Sequence, residues 1–245
     1  MKAILLSAGQ GSRLLPLTQD RPKCLLPLAG RSLLEWQIEA LAGSGIRDFV
    51  VVVGFRADLV EREIERLARP GLVLRTIFNP FFNVADNLGS CWLARHEMSD
   101  EFLILNGDTV FQPGVPERLL AASAAPIVVT IDRKKVYDAD DMKVRIEGDR
   151  LVAIGKTLSA ERVNGESIGL LRFAGDGPRL FREAVERAMR APEGLKWWYL
   201  RVIDDLAASG VVAAASIEGL PWAEVDYPAD LVRADGLAQT WLAAR

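Results

Sequence analysis

"LSAGQGSRLLPLTQDRPKCLLPLAG", residues 6–30, places three glycines, three prolines and three basic residues directly behind a short apolar run. A glycine-rich turn after the first strand of an α/β sheet normally meets a ligand, because ligands bind at the carboxyl ends of the strands. Gly9 and Gly11 let the backbone approach an anion closely, and Arg13 and Lys23 bring positive charge to the same place. Two familiar phosphate loops are excluded. No Gly-Lys-Ser/Thr follows at P-loop spacing, and "GQGSRL" has Leu14 where the dinucleotide fingerprint requires its third glycine. A plain strand-to-helix turn with solvated arginines also fits the Gly-x-Gly alone.

Outward from this stretch, strands and helices take turns. "AILLS", "FVVVVG", "LVLRTIF" and "EFLILNGD" read as buried strands, while "SLLEWQIEALAGSG" and "RADLVEREIERLAR" between them have helical periodicity. That alternation predicts a mostly parallel sheet covered by helices. From about residue 126 the candidates are shorter: "PIVVTID", "MKVRIEG", "RLVAIGK" and "ESIGLLRF", with "EGDR" turning a hairpin. A helix-rich stretch over about 177–208, the strand "VVAAASI" and a helix after Pro228 complete the pattern. The expected fold is α/β, a Rossmann-like three-layer α/β/α arrangement with a mostly parallel mixed central sheet. One domain over 1–245 is expected, with a small added acceptor-side lobe over about 130–208.

Composition narrows the function classes. A net charge of −3 over 245 residues gives no broad cationic field for nucleic acid or an anionic membrane. The two cysteines, Cys24 and Cys91, lack CxxC spacing and indicate neither a zinc site nor a disulfide scaffold. The opening apolar run is too short for a secretion signal, and no apolar run reaches membrane-spanning length, so a cytoplasmic location is expected.

The whole segment 6–41 is more specific than its glycines. It resembles the N-terminal signature of the nucleotidyltransferases that join an NTP to a phosphorylated small molecule. Ala8, Gly9, Gly11, Ser12, Arg13 and Leu14 stand at its Gly loop, and Pro22, Lys23 and Leu25 at its second motif. Ser32 replaces a usual proline at the next turn, where serine is a good helix cap. The resemblance implies a nucleotide held by Leu6, Ala8, Gly9, Gly11 and Ser12, with Arg13 and Lys23 on its phosphates. It also implies that Asp108, ending "EFLILNGD", and Asp226, in "WAEVDYPADL", hold Mg²⁺, which suits oxygen ligands and few carboxylates. Arg13, Lys23, Asp108 and Asp226 are thus the expected catalytic set, with Asp108 also on the nucleotide and Asp226 also on the acceptor.

The chemistry implied needs no histidine. A phosphoryl acceptor with a second pKa of about 6 is already ionised near neutral pH, and His96 reads as a surface or packing residue. The run from Asn87 to Leu93, with Ser90 at its centre, is similar to a segment of the cytidylyltransferases acting on phosphocholine, aminoethylphosphonate or inositol phosphate. This implies CTP as donor, with Asn87 and Ser90 near the base, and a small phosphorylated or phosphonylated acceptor as partner. Lys143 and Lys156 would face the acceptor phosphate and Glu166 its polar or cationic end, unless the lysines are ordinary charges on an exposed hairpin. Trp198, beside Trp197 and Tyr199, would add an aromatic wall, with Asp204 or Asp205 supplying charge, although helical spacing separates Trp197 from Trp198. A sugar-1-phosphate uridylyl- or guanylyltransferase and a silent nucleotide-sensing subunit are the alternatives, and an oligomer is compatible with either.

Overall fold

The computed structural model describes residues 1–244. In chain order the strands are β1 (Lys2–Ser7), β2 (Pro27–Leu28), β3 (Arg31–Ser32), β4 (Asp48–Val53), β5 (Val73–Phe78), β6 (Phe102–Asn106) and β7 (Thr109–Phe111). They continue as β8 (Ile127–Asp132), β9 (Lys143–Glu147), β10 (Arg150–Ile154), β11 (Gly165–Phe173), β12 (Val212–Ser216) and β13 (Trp222–Glu224). The α-helices are α1 (Leu33–Gly43), α2 (Ala57–Leu67), α3 (Asn87–Leu93), α4 (Gly114–Leu120), α5 (Gly177–Met189), α6 (Tyr199–Ala207) and α7 (Pro228–Ala243). Two compact units form: one from Met1–Asn83, Leu105–Pro116 and Leu220 onward, the other from Val84–Ile104 and Glu117–Gly219. Among the described residues no helix is long and apolar enough to cross a membrane.

In the first unit β1, β4 and β5 are parallel, with Lys2 opposite Asp48 and Asp48 opposite Val73. Ala3–Leu5 and Phe49–Val53 are fully buried, as continuous apolar runs must be when both faces of a parallel strand are covered. The chain leaves β1 through the glycine loop. Gly11 adopts φ +79°, and a Cβ there would lie 2.9 Å from Lys23 Cβ, so both the backbone and its neighbour demand glycine. Ser12–Leu14 then closes one 3₁₀ turn, and the Thr18 hydroxyl donates to the Gly11 carbonyl at 2.8 Å.

A second apolar core in this unit joins distant pieces of chain. Leu14, Leu26, Leu28, Leu33 and Trp36 pack with Val110, Val225, Ala234 and Trp241. The Trp36 and Trp241 rings meet edge to face at 5.7 Å. β13 pairs antiparallel with β7, Glu224 opposite Thr109, and the Val225 amide donates to the Asp108 carbonyl at 3.0 Å.

The strands of the second unit run in mixed directions. β8 pairs parallel with β12 but antiparallel with β11, and β10 is antiparallel to both β9 and β12. Connection length explains the β9–β10 pair. The short turn at "EGDR", with Gly148 at φ +65°, can join only antiparallel strands. Its core stacks Phe102 on Phe173 at 4.5 Å, with Phe181 tilted against Phe173 at 4.6 Å and Tyr199 edge-on to Phe181.

Gly107 fixes how the turn after β6 sits. A Cβ there would lie 2.4 Å from the Leu6 carbonyl oxygen and 3.0 Å from Ser7 Cα, both main-chain atoms. Gly107→Ala should therefore lower stability by about 1–3 kcal/mol, the usual cost of overpacking. The denaturant midpoint measures this, and an unchanged midpoint would contradict the close seat.

Candidate active site

The first unit brings Arg13, Lys23, Asp108 and Asp226 together. Lys23 Nζ donates to Asp226 Oδ1 at 2.6 Å and to Asp108 Oδ2 at 3.0 Å. Arg13 Nη1 donates to Asp226 Oδ2 at 3.0 Å. Each residue is delivered by its own local structure: Arg13 by the 3₁₀ turn after Gly11, and Lys23 by a second 3₁₀ turn, Lys23–Leu25. Asp108 stands on the turn between β6 and β7, and Asp226 two residues before Pro228 starts α7.

Depth differs along the set. The Arg13 side chain is 45% exposed and that of Lys23 is 13% exposed. Burial alone would lower the Lys23 pKa, but the charges of Asp108 and Asp226 and hydrogen bonds to both outweigh it and hold the amine well above its ordinary range. Lys23 is therefore a cation at neutral pH. Beside it, the Cys24 thiol is pushed up to about 12 by burial, which leaves it inert as a nucleophile near neutral pH.

Asp108 Oδ1 is buried without a hydrogen-bond partner. An orphaned carboxylate oxygen is costly unless something positive meets it. Two aspartates with one such oxygen form a hard-oxygen donor set that fits a divalent cation such as Mg²⁺, which needs few protein carboxylates when phosphates supply the rest. Gly9 belongs to the same consideration. A Cβ at Gly9 would meet no heavy atom within 4 Å, so nothing in the protein itself demands glycine there.

Three residues absent from the sequence expectations hold this set. Gln37, 1% exposed on α1, donates from Nε2 to the carbonyls of Asn106 at 2.8 Å and Thr109 at 2.7 Å. Asp230 Oδ2 accepts from the amides of Asp226 at 3.2 Å and Tyr227 at 2.9 Å. The Tyr227 ring lies 5.5 Å under the Arg13 guanidinium. A sequence signal existed for two of them. Gln37 interrupts the apolar face of α1, and an acid at the third position of a proline-started helix is half of a capping box.

Of the remaining expected nucleotide residues, Leu6 and Ala8 are buried in the first unit. In the second unit, Asn87 Oδ1 accepts from the Tyr199 amide at 2.9 Å, so that oxygen is occupied in starting α6. Ser90 is buried on α3.

The acceptor-side residues of the second unit separate into two groups. Lys156 Nζ sits 4.7 Å above the Trp198 ring, and Asp86, not anticipated from sequence, has its pKa raised by burial against the opposing pull of Trp198, Lys196 and Lys156. Lys143 is no exposed hairpin charge. It is buried, and its Nζ donates to the Lys156 carbonyl at 3.1 Å and the Ala139 carbonyl at 3.4 Å. Both lysines line a cavity of about 560 Å³ shared with Tyr137 and Thr157. The aromatic cage does not form around Trp197, whose ring lies 3.9 Å from the Arg201 guanidinium, and Asp204 is occupied by the Ile154 amide at 2.8 Å.

Glu166 lies in the other group. It accepts from Lys134 at 2.9 Å, and the same ammonium meets Asp141 at 2.8 Å. Burial pushes Glu166 from its ordinary 4.5 up to about 7, despite Lys134. Burial alone would lower Lys134, yet hydrogen bonds to Asp141 and Glu166 raise it. The folded state thus binds the Glu166 proton more tightly than the unfolded chain, and its contribution to stability is complete below 4.5 and lost as pH rises towards 7. Urea midpoints of wild type should fall across that window relative to Glu166→Gln, and parallel profiles would refute the raised value.

Comparison with known proteins places these residues in a family. A nucleotidyl transferase family model matches residues 2–141. A CMP-5'-(3-aminopropyl)phosphonate synthase of Streptomyces rubellomurinus is 35% identical over 96% of this chain and 38% of its own length. A bifunctional IPC transferase and DIPP synthase of Rubrobacter xylanophilus is 33% identical over 99% of this chain and 53% of its own length. The chain therefore spans about half or less of these curated relatives. An inositol-1-phosphate CTP transferase from T. maritima superposes with a TM-score of 0.82 at 23% identity, covering 98% of this chain and 95% of that one. This likeness establishes the expected mixed α/β, Rossmann-like fold. Because the family model alone matches more than half of the residues, the chain belongs to the nucleotidyl transferase family.

Proposed function

We propose that this chain is a cytidylyltransferase that moves CMP from CTP to a small phosphorylated or phosphonylated acceptor and releases pyrophosphate. The observation that carries this is the Lys23 ammonium held between Asp108 and Asp226 behind the Gly11 loop. In the reaction an acceptor oxygen bonds to the α-phosphorus while the bond to the bridging oxygen of pyrophosphate breaks. The acceptor, with a second pKa of about 6, attacks already deprotonated, so the protein need not remove a proton. What remains is alignment and charge.

The chain's residues supply both. The open space at Gly9 would let the loop's backbone approach a triphosphate, and Arg13 reaches the more exposed side of the set. Lys23, always charged, faces the negative charge that grows on the leaving oxygen. Asp108 and Asp226 would hold Mg²⁺, which neutralises phosphate charge when bound. The names of the relatives support CTP and a phosphonate or phosphate acceptor. Lys156, with Trp198 beneath it and the cavity of the second unit beside it, is the residue we assign to the acceptor's anionic group. Two free, buried thiols agree with a cytoplasmic enzyme.

Pyrophosphate release from each of the four NTPs, paired with aminoalkylphosphonates, phosphocholine, inositol phosphate and sugar 1-phosphates, tests the assignment. CTP should give the highest kcat/KM, and a purine nucleotide as best donor would contradict it. Asp108→Asn and Asp226→Asn should each lower turnover by roughly a hundredfold or more without unfolding the chain. Near-normal rates in both would remove the two-aspartate site.

A further inference from the structure

We propose that Gln37 is a positioning residue for Asp108, setting the carboxylate's place against Lys23 and a bound metal. This rests on the assignment of Asp108 as a metal and nucleotide residue.

Asp108 stands on the turn Asn106–Gly107–Asp108–Thr109. Both hydrogens of Gln37 Nε2 go to that turn, one to the carbonyl two residues before Asp108 and one to the carbonyl just after it. On its other side the turn is held by the Gly107 amide, which donates to the Leu6 carbonyl at 3.1 Å. The helix that carries Gln37 also governs Lys23. The Leu33 amide at the start of α1 donates to the Leu26 carbonyl at 3.0 Å, and the Leu26 amide donates to the Lys23 carbonyl at 3.0 Å. Trp36, next to Gln37, donates from its indole to the Leu28 carbonyl at 2.8 Å. The 3.0 Å separation of Lys23 Nζ and Asp108 Oδ2 is therefore referred to one rigid element, α1, from both sides.

The glutamine serves the turn more than its own helix: Nε2 donates to two turn carbonyls, while Oε1 is buried and has no partner. A methionine of similar volume would remove that orphaned oxygen but leave the Asn106 and Thr109 carbonyls without these two donors. A residue that breaks a local rule inside a well-packed helix is expected where function sets the choice.

The test uses Gln37→Met and Gln37→Glu in the full chain. Gln37→Met should still unfold cooperatively, with a lowered thermal midpoint because two turn carbonyls lose their donor. Its kcat should fall tenfold or more with little change in acceptor KM, since a small displacement at the reacting centre is costly. Mn²⁺ binding at saturating CTP without acceptor, followed by proton relaxation enhancement, should weaken by about the same factor as kcat. Gln37→Glu should recover activity relative to wild type as pH falls, because only the protonated acid can donate to the turn. Wild-type kcat and Mn²⁺ affinity in Gln37→Met would overturn the proposal, and so would its failure to fold, which would make the glutamine purely structural. A wild-type protein that neither binds Mn²⁺ with CTP nor releases pyrophosphate from any NTP would instead overturn the underlying assignment, and this proposal with it.

Discussion

The Lys23 ammonium between two carboxylates is the contact on which the first unit converges. Its partners lie 85 and 203 residues away in sequence, so the contact exists only when three separate segments have found their places. With Arg13 on Asp226 the set holds two cations and two anions. Partly buried ion pairs of this kind gain little after desolvation and screening. Stability must come from elsewhere, and the core that joins Leu14, Leu26, Val110 and Val225 lies within three residues of each charged residue in sequence. Apolar packing thus brings the four segments together, and the charges inherit their geometry from it.

That division of labour explains what could be read from sequence. Arg13, Lys23, Asp108 and Asp226 were singled out by the resemblance of their motifs to a family signature, since a glycine loop, a Pro-Lys pair, a strand-end aspartate and an aspartate before a proline-started helix do not separately say that the four side chains meet. The alternation of strands and helices gave the α/β class. The hairpin of β9 and β10 could be read from its short turn, while the pairing of β8 with β11 and β12 joins strands distant in sequence. Less visible were side chains whose importance is tertiary. Nothing local says that Gln37 reaches a turn about seventy residues away, or that Asn87 uses its oxygen on the start of α6. Lys143 could be read as facing the acceptor phosphate or as a solvent charge, because its strand pattern shows alternation but not which carbonyls will meet the amine. Trp197 and Trp198 each meet a different cation, but not through helical spacing: both lie in extended backbone just before α6, where successive side chains alternate in direction.

The second unit follows a different electrostatic logic. One ammonium, Lys134, serves two carboxylates, and Glu166 answers by holding its proton to higher pH. Lys156 and Trp198, with Asp86 near them, leave a cation on an aromatic face beside a cavity large enough for a small molecule. In the function proposed, such residues would tune acceptor preference, and no single motif announces them.

The central claim is that the carboxylates now bridged by Lys23 also hold the metal that accompanies the nucleotide. Anomalous diffraction from crystals grown with Mn²⁺ and CTP tests it most directly. The account predicts a manganese peak bound by Asp108 and Asp226, with the triphosphate against the Gly11 loop, and a peak on other ligands with both aspartates still occupied only by Lys23 and Arg13 would contradict it.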